Sequence, residues 1–99
     1  MSSPGFLHTP DALSDLDAIQ AFLLAQSFQA SQIVGEELAR AMCLLSEFPN
    51  IGHERPDLTD KPVRFWTVFS YMIVYDPAPR PIQVLRIVHA SREVRRSGL

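Results

Sequence analysis

The chain has 99 residues, which suits a single domain over 1–99 with one modest hydrophobic core. With 46% hydrophobic and 20% charged residues the composition is globular and excludes a disordered chain. The net charge of −2 is uneven: residues 1–54 hold one base, Arg40, and seven acids, while residues 55–99 hold eight bases and four acids.

The first apolar pair, Phe6-Leu7, predicts a short strand, with residues 1–5 frayed before it. Thr9 is a good helix N-cap, Pro10 suits the first helical position, and Asp11 places a negative charge at the positive end of the helix dipole. From there the apolar residues at 12, 13, 16, 19, 22 and 23 mark one face of a helix, with Asp15, Asp17 and Gln20 expected on the other. A break is predicted over Ser27 to Ser31, then a second helix to Phe48. Val34, Leu38, Ala41, Leu45 and Phe48 form its apolar seam, and Gly35 offers a place for the first helix to approach. The single cysteine, Cys43, excludes an internal disulfide, and its run AMCLLSEF predicts a buried thiol acting as a small hydrophobe.

Pro49 ends the second helix. The stretch FPNIGHERPDL is then a rigid crossover: Gly52 supplies a turn conformation, Pro56 stiffens the chain and Leu58 returns to the core. Val63 to Phe69, Tyr71 to Tyr75 and Ile82 to His89 are rich in β-branched and aromatic residues and predict three strands. Phe69-Ser70 reads as a hairpin turn, and DPAPRP as a rigid turn that cannot carry a ladder. The last strand is apolar on both faces, as an inner strand is, and alternation sets Arg86 with Val84 and Val88, and His89 with Leu85 and Ile87. The tail from residue 94 is expected to fray. These elements define an α+β fold of two layers, an N-terminal helical hairpin packed on a small antiparallel β-sheet.

Chemistry is sparse in the pattern. His53-Glu54 begins like a zinc-binding HExxH, but position 57 is aspartate, and His8, His53 and His89 are far apart, so no metal and no cofactor are expected. Phosphate-cradling glycine loops and activated nucleophile motifs are absent, and no catalytic residue is assigned. Arg64, Arg86, His89 and Arg92 form the interesting basic set, to which Arg55 of the crossover is added. Arg86 is expected to hold a salt bridge or to form a cationic floor for phosphate or carboxylate. His89 is expected to fix the strand end or to serve as an acid–base group. Residues 1–10 lack the basic start and apolar run of a signal peptide, and no run approaches the ~18 apolar residues of a membrane span, so a cytoplasmic protein off the membrane is expected.

TPDALSDLDAIQAFL, FPNIGHERPDL, VRFWTVFSYMIVYD and IQVLRIVHASRE together resemble the ParE toxins of the ParE/RelE superfamily, the toxic halves of type II toxin–antitoxin modules, also called plasmid-stabilisation proteins. The resemblance runs from about Phe6 to Glu93. It implies the RelE/ParE-like fold, a cognate antitoxin that wraps the toxin in a hetero-oligomer of 2:2 or larger, and growth arrest through DNA gyrase. Direct DNA binding without the antitoxin is not expected. Relatives of RelE type are ribosome-dependent mRNA endoribonucleases that use basic residues and often a C-terminal tyrosine. This chain has no tyrosine after Arg92, only EVRRSGL, and one lysine, Lys61. The departure favours a protein-binding inhibitor over the nuclease. The nuclease, and an inactive toxin that keeps only antitoxin binding, remain the alternatives. Arg55, Arg64, Arg86, His89 and Arg92 are the candidates for target or antitoxin contact.

Overall fold

The computed structural model describes residues 5–90, with the elements in the order β1 (Phe6–His8), α1 (Pro10–Gln26), α2 (Phe28–Glu47), β2 (Arg64–Val68), β3 (Tyr71–Asp76) and β4 (Ile82–His89). The four strands form one sheet in the order β1-β4-β3-β2. β2, β3 and β4 make the expected antiparallel meander, while the short first strand pairs in parallel with β4, setting His8 beside Val84. The sheet is therefore mixed and not wholly antiparallel, because the chain enters it ahead of the helical hairpin. Even Gly5, expected to fray, accepts a hydrogen bond on its carbonyl from Ile82 N at 3.0 Å.

The start of α1 follows its sequence signal. Thr9 Oγ1 accepts from Ala12 N at 3.2 Å, and Pro10 occupies the first turn. The break between the helices is shorter than the sequence predicts. Ser27 alone makes it, in an extended conformation, its N–H closing α1 on Leu23 O while its Oγ accepts from Ala30 N to open α2. Gln20 of α1 lies over Gly35 of α2, where a β-carbon would come within 3.0 Å of its Nε2.

Two clusters divide the core. On the helix side Ala12, Leu38, Met42 and Leu45 meet Ile73, Tyr75, Ile82, Val84 and Ile87. On the other face Val63, Phe65, Met72, Val74 and Val88 pack together under Leu58 of the crossover. β3 is thus buried on both faces, each full burial of a Val or Ile contributing about 1.5–3 kcal/mol. Four expected core members lie outside, among them Leu13 and Phe22 of α1, each half exposed or more. Phe48 caps the C-terminus of α2 with its ring more than half exposed, since the chain leaves helical geometry there. Cys43 is on the solvent face of α2, two steps off the Leu38–Leu45 seam.

The crossover is held by one phenol. Tyr75, fully buried, donates from Oη to Pro49 O at 2.6 Å and accepts from Gly52 N at 3.0 Å. Burial pushes this phenol above its ordinary range. Gly52 is required for close approach and not for a left-handed turn: a β-carbon there would meet Tyr75 Cε1 at 2.8 Å and the hydroxyl closer still. Gly52→Ala should therefore cost about 2 kcal/mol or more in urea unfolding, since it drives a methyl into a packed ring and disturbs two buried hydrogen bonds.

His8 stands between β1 and α2, its Nε2 3.1 Å from Met42 Sδ and its ring edge-on to Phe6. Burial lowers its pKa below the ordinary 6.5. The folded state then binds the proton less readily than the unfolded chain, so the stability contribution is whole above pH 6.5 and is lost as pH falls toward the folded value. A His8→Gln variant, compared with wild type by thermal melts across pH 7.5 to 5, should show a shallower loss on acidification.

Candidate functional site

The last strand is not regular. Val74 pairs with Arg86, but Tyr75 pairs with Val84, so Leu85 is an extra residue, a β-bulge. The bulge resets the alternation. Val84 and Ile87 face the helices, while Leu85 and Val88 pack on the other face. The strict alternation read from the sequence, which groups Val84 with Val88 and Leu85 with Ile87, fails here for that reason. Thr9, at the mouth of α1, secures the bulge: its N–H donates to Val84 O at 3.0 Å and its hydroxyl to Leu85 O at 2.8 Å.

β1 covers β4 only from Ile82 to Val84. Beyond it the outer edge of β4 is taken up by Asp15 of α1. One of its carboxylate oxygens accepts from Ile87 N at 2.9 Å, and the pair accepts the guanidinium fork of Arg86, from Nε at 2.7 Å and from Nη2 at 3.0 Å. The side chains are 16% and 27% exposed, so the pair is shielded enough to matter. Asp15 does not lie on the outer face of α1, as predicted. It stands three residues after buried Ala12 and four before Ile19, on the inward stripe.

Above this clamp lies a pocket of about 270 Å³, walled by Ile19, Phe22, Tyr71 and Ile87, with Asp15–Arg86 and His89 as its polar groups. His89 pairs with Tyr71 across the strands and packs edge-on against its ring, centroids 5.6 Å apart. Phe22 is an exposed rim residue. Of the five predicted residues, this pocket unites only Arg86 and His89. Arg92 lies outside the described residues.

Arg64 and Arg55 are at the other end of the sheet. Arg64 lies opposite Tyr75, four residues along β2 from the Val68–Tyr71 pair that adjoins His89, roughly 13 Å at strand rise. Its Nη1 donates to Gly52 O at 2.8 Å and its Nη2 approaches Glu54 at 3.4 Å, which ties the crossover to β2. Arg55 forks onto Asp57 at 3.0 and 2.9 Å on the loop surface, and this hydrogen bonding raises the guanidinium pKa further. His53 bridges the edge of β2 at Phe65 and stacks near Trp66. Among the described residues no three His, Cys, Asp or Glu side chains gather in a way that would hold a metal ion. Among them, too, no helix is long and apolar enough to cross a membrane.

The two-layer arrangement, a helical hairpin on a four-stranded mixed sheet, is that of a solved chain from the chromosomal ParDE TA system of P. aeruginosa. The two share 23% identity with a TM-score of 0.71, over 87% of this chain and 95% of that one. This chain belongs to the ParE toxin family of type II toxin–antitoxin systems (parDE), whose family model matches residues 7–94. A search of curated proteins returned no match.

Sequence reasoning missed Asp15, Tyr71 and Phe22. The spacing from Ala12 to Asp15 to Ile19 is the signal that would have found the first. Asp15→Ala should cost about 2–3 kcal/mol, because it leaves a half-buried guanidinium and the Ile87 N–H without their acceptor. A lowered midpoint in chemical denaturation checks it, and Asp17→Ala on the exposed face should leave the midpoint in place.

Proposed function

We propose that this ParE-family toxin arrests growth as a protein-binding inhibitor of DNA gyrase in the cytoplasm, and that a cognate antitoxin neutralises it. The observation that carries the reading is the engagement of Arg86 and Arg64 within the fold. In-line cleavage of RNA needs a base, an acid and a charge-stabilising group converging on one phosphate. Here Arg86 is engaged by Asp15 through two donors, and Arg64 by the crossover at the far end of the sheet. The pocket that unites Arg86 and His89 is the specific feature in favour of the alternative, a ribosome-dependent endoribonuclease.

The two readings separate in vitro. Purified toxin should inhibit supercoiling of a relaxed plasmid by gyrase in a dose-dependent way, and should leave messenger RNA uncut on translating ribosomes in primer extension. Full supercoiling activity at stoichiometric excess of folded toxin contradicts the proposal, and new A-site cuts transfer the function to the nuclease. Adding the small protein encoded beside the toxin gene should restore supercoiling.

A further inference from the structure

Phe22 is poorly explained by the packing around it. It stands on the rim of the pocket above the Asp15–Arg86 clamp, 57% exposed. Alanine would serve the helix better there, since an aromatic side chain loses rotamer freedom against the preceding turn. The neighbourhood is also unusual. From Ala18 to Gly35 the chain carries no charged residue, although Phe22, Leu24 and Phe28 are all more than half exposed. Exposed apolar surface gathered in one place marks a contact site.

The end of β4 directs the following chain to that ring. α1 and β4 run in the same sense: Thr9 meets Val84 and Leu85, and Asp15 meets Ile87. Phe22 lies beyond Asp15 on the same face of α1, roughly 10 Å along the axis. His89 lies only roughly 7 Å beyond Ile87 at strand rise. The helix therefore outruns the strand. Ala90 N still donates to Ser70 O at 2.7 Å, so the strand direction holds there, and chain continuing from it passes beside Phe22. The segment that follows, SREVRRSGL, lies outside the described residues, and its sequence suits the place. Val94 is its only large apolar residue before Leu99. Arg92, Arg95 and Arg96 outweigh Glu93, whereas α1 carries Asp11, Asp15 and Asp17 and no lysine or arginine. The last turn of α1 holds no base, so nothing within the helix offsets the partial negative charge of its carbonyl end.

We propose that residues 91–96 form a strap over the open end of this pocket, with Val94 packed on Ile19 and Phe22 and the arginines along the carbonyl end of α1. This departs from the frayed tail expected from the sequence. Reach is ample: extended chain spans about 3.3 Å per residue, and the part of α1 from Phe22 to Gln26 is roughly 6 Å long. The same chain is favoured over a second copy because the segment starts at the rim of the pocket, which gives it a high effective concentration there. The strap joins the end of β4 to the end of α1, where the Asp15 clamp does not reach. It goes beyond the proposed function and holds whichever target the toxin takes.

The test is a double-mutant cycle on the full chain, with thermal melts of wild type, Phe22→Ala, Val94→Asp and the double variant. A bare Phe22 ring would make Phe22→Ala neutral or stabilising, because alanine is the better helix former. The strap predicts that each single variant melts a few degrees below wild type and that the double variant falls no further than the lower single one. Trypsin should also cut after Arg92, Arg95 and Arg96 several-fold faster in Phe22→Ala than in wild type. An unchanged melt for Val94→Asp overturns the proposal, as do additive losses in the double variant or equal cleavage rates. A loss that disappears when the protein is diluted assigns the contact to a second copy and overturns it as well.

Discussion

The carboxylate of Asp15 sets the relation between the two layers. It accepts the Ile87 N–H, which β1 is too short to cover, and it holds the fork of Arg86. An uncovered strand edge would expose unpaired main-chain groups, and a helix side chain closes it here in place of a fifth strand. The same contact draws α1 to the outer side of β4 and so offsets the helical hairpin toward the β1–β4 side of the sheet. The cost of that offset appears on the opposite side. Trp66 and Val68 of β2 are only partly buried, and a groove opens between β2 and α2.

A second joint holds the remaining end. Tyr75 gathers Pro49 and Gly52, and Arg64 takes the Gly52 carbonyl, so the long crossover is bound to the sheet by three hydrogen bonds, one buried and two part-buried. Between them the two joints engage Arg64 and Arg86, more shielded than Arg55, the other described arginine of the predicted basic set. The Arg55–Asp57 pair is exposed, and a pair of that kind contributes little to stability. What the fold presents to partners is consequently a set of half-covered apolar features bordered by a few charges. We propose that this surface serves protein recognition and not phosphate chemistry.

Much of this was legible in the sequence where a local rule acts alone. Thr9-Pro10-Asp11 starts α1, Pro49 ends α2, and β-branched runs with intervening turns give the three main strands. Each of these is decided within a few residues of chain. The parallel seating of β1 is not, because three residues carry no register signal and their partner lies more than seventy positions away. The bulge at Leu85 is also silent, since the apolar run through β4 reads equally well without it, and one extra residue reverses the faces that follow. Asp15 was misread by its chemistry: a carboxylate on a helix is assigned to water unless its partner is known, although its spacing from Ala12 and Ile19 points inward. Gly52 was recognised as necessary for the wrong reason, because the ring of Tyr75 that forbids a β-carbon is twenty-three residues downstream.

The central claim is that Arg86 serves the architecture and not a chemical step, and a neutral pair addresses it most directly. In Asp15→Asn combined with Arg86→Gln, the Asn oxygen can still accept from Ile87 N and from the Gln amide near the position of Arg86 Nε, while both charges and the Nη2 donor are removed. Growth arrest should be measured on induction without antitoxin, alongside a melt that establishes folding. The account predicts a folded protein whose toxicity remains within a few-fold of wild type. A folded double variant with its toxicity abolished would contradict it and would place the guanidinium of Arg86 in the toxin's action.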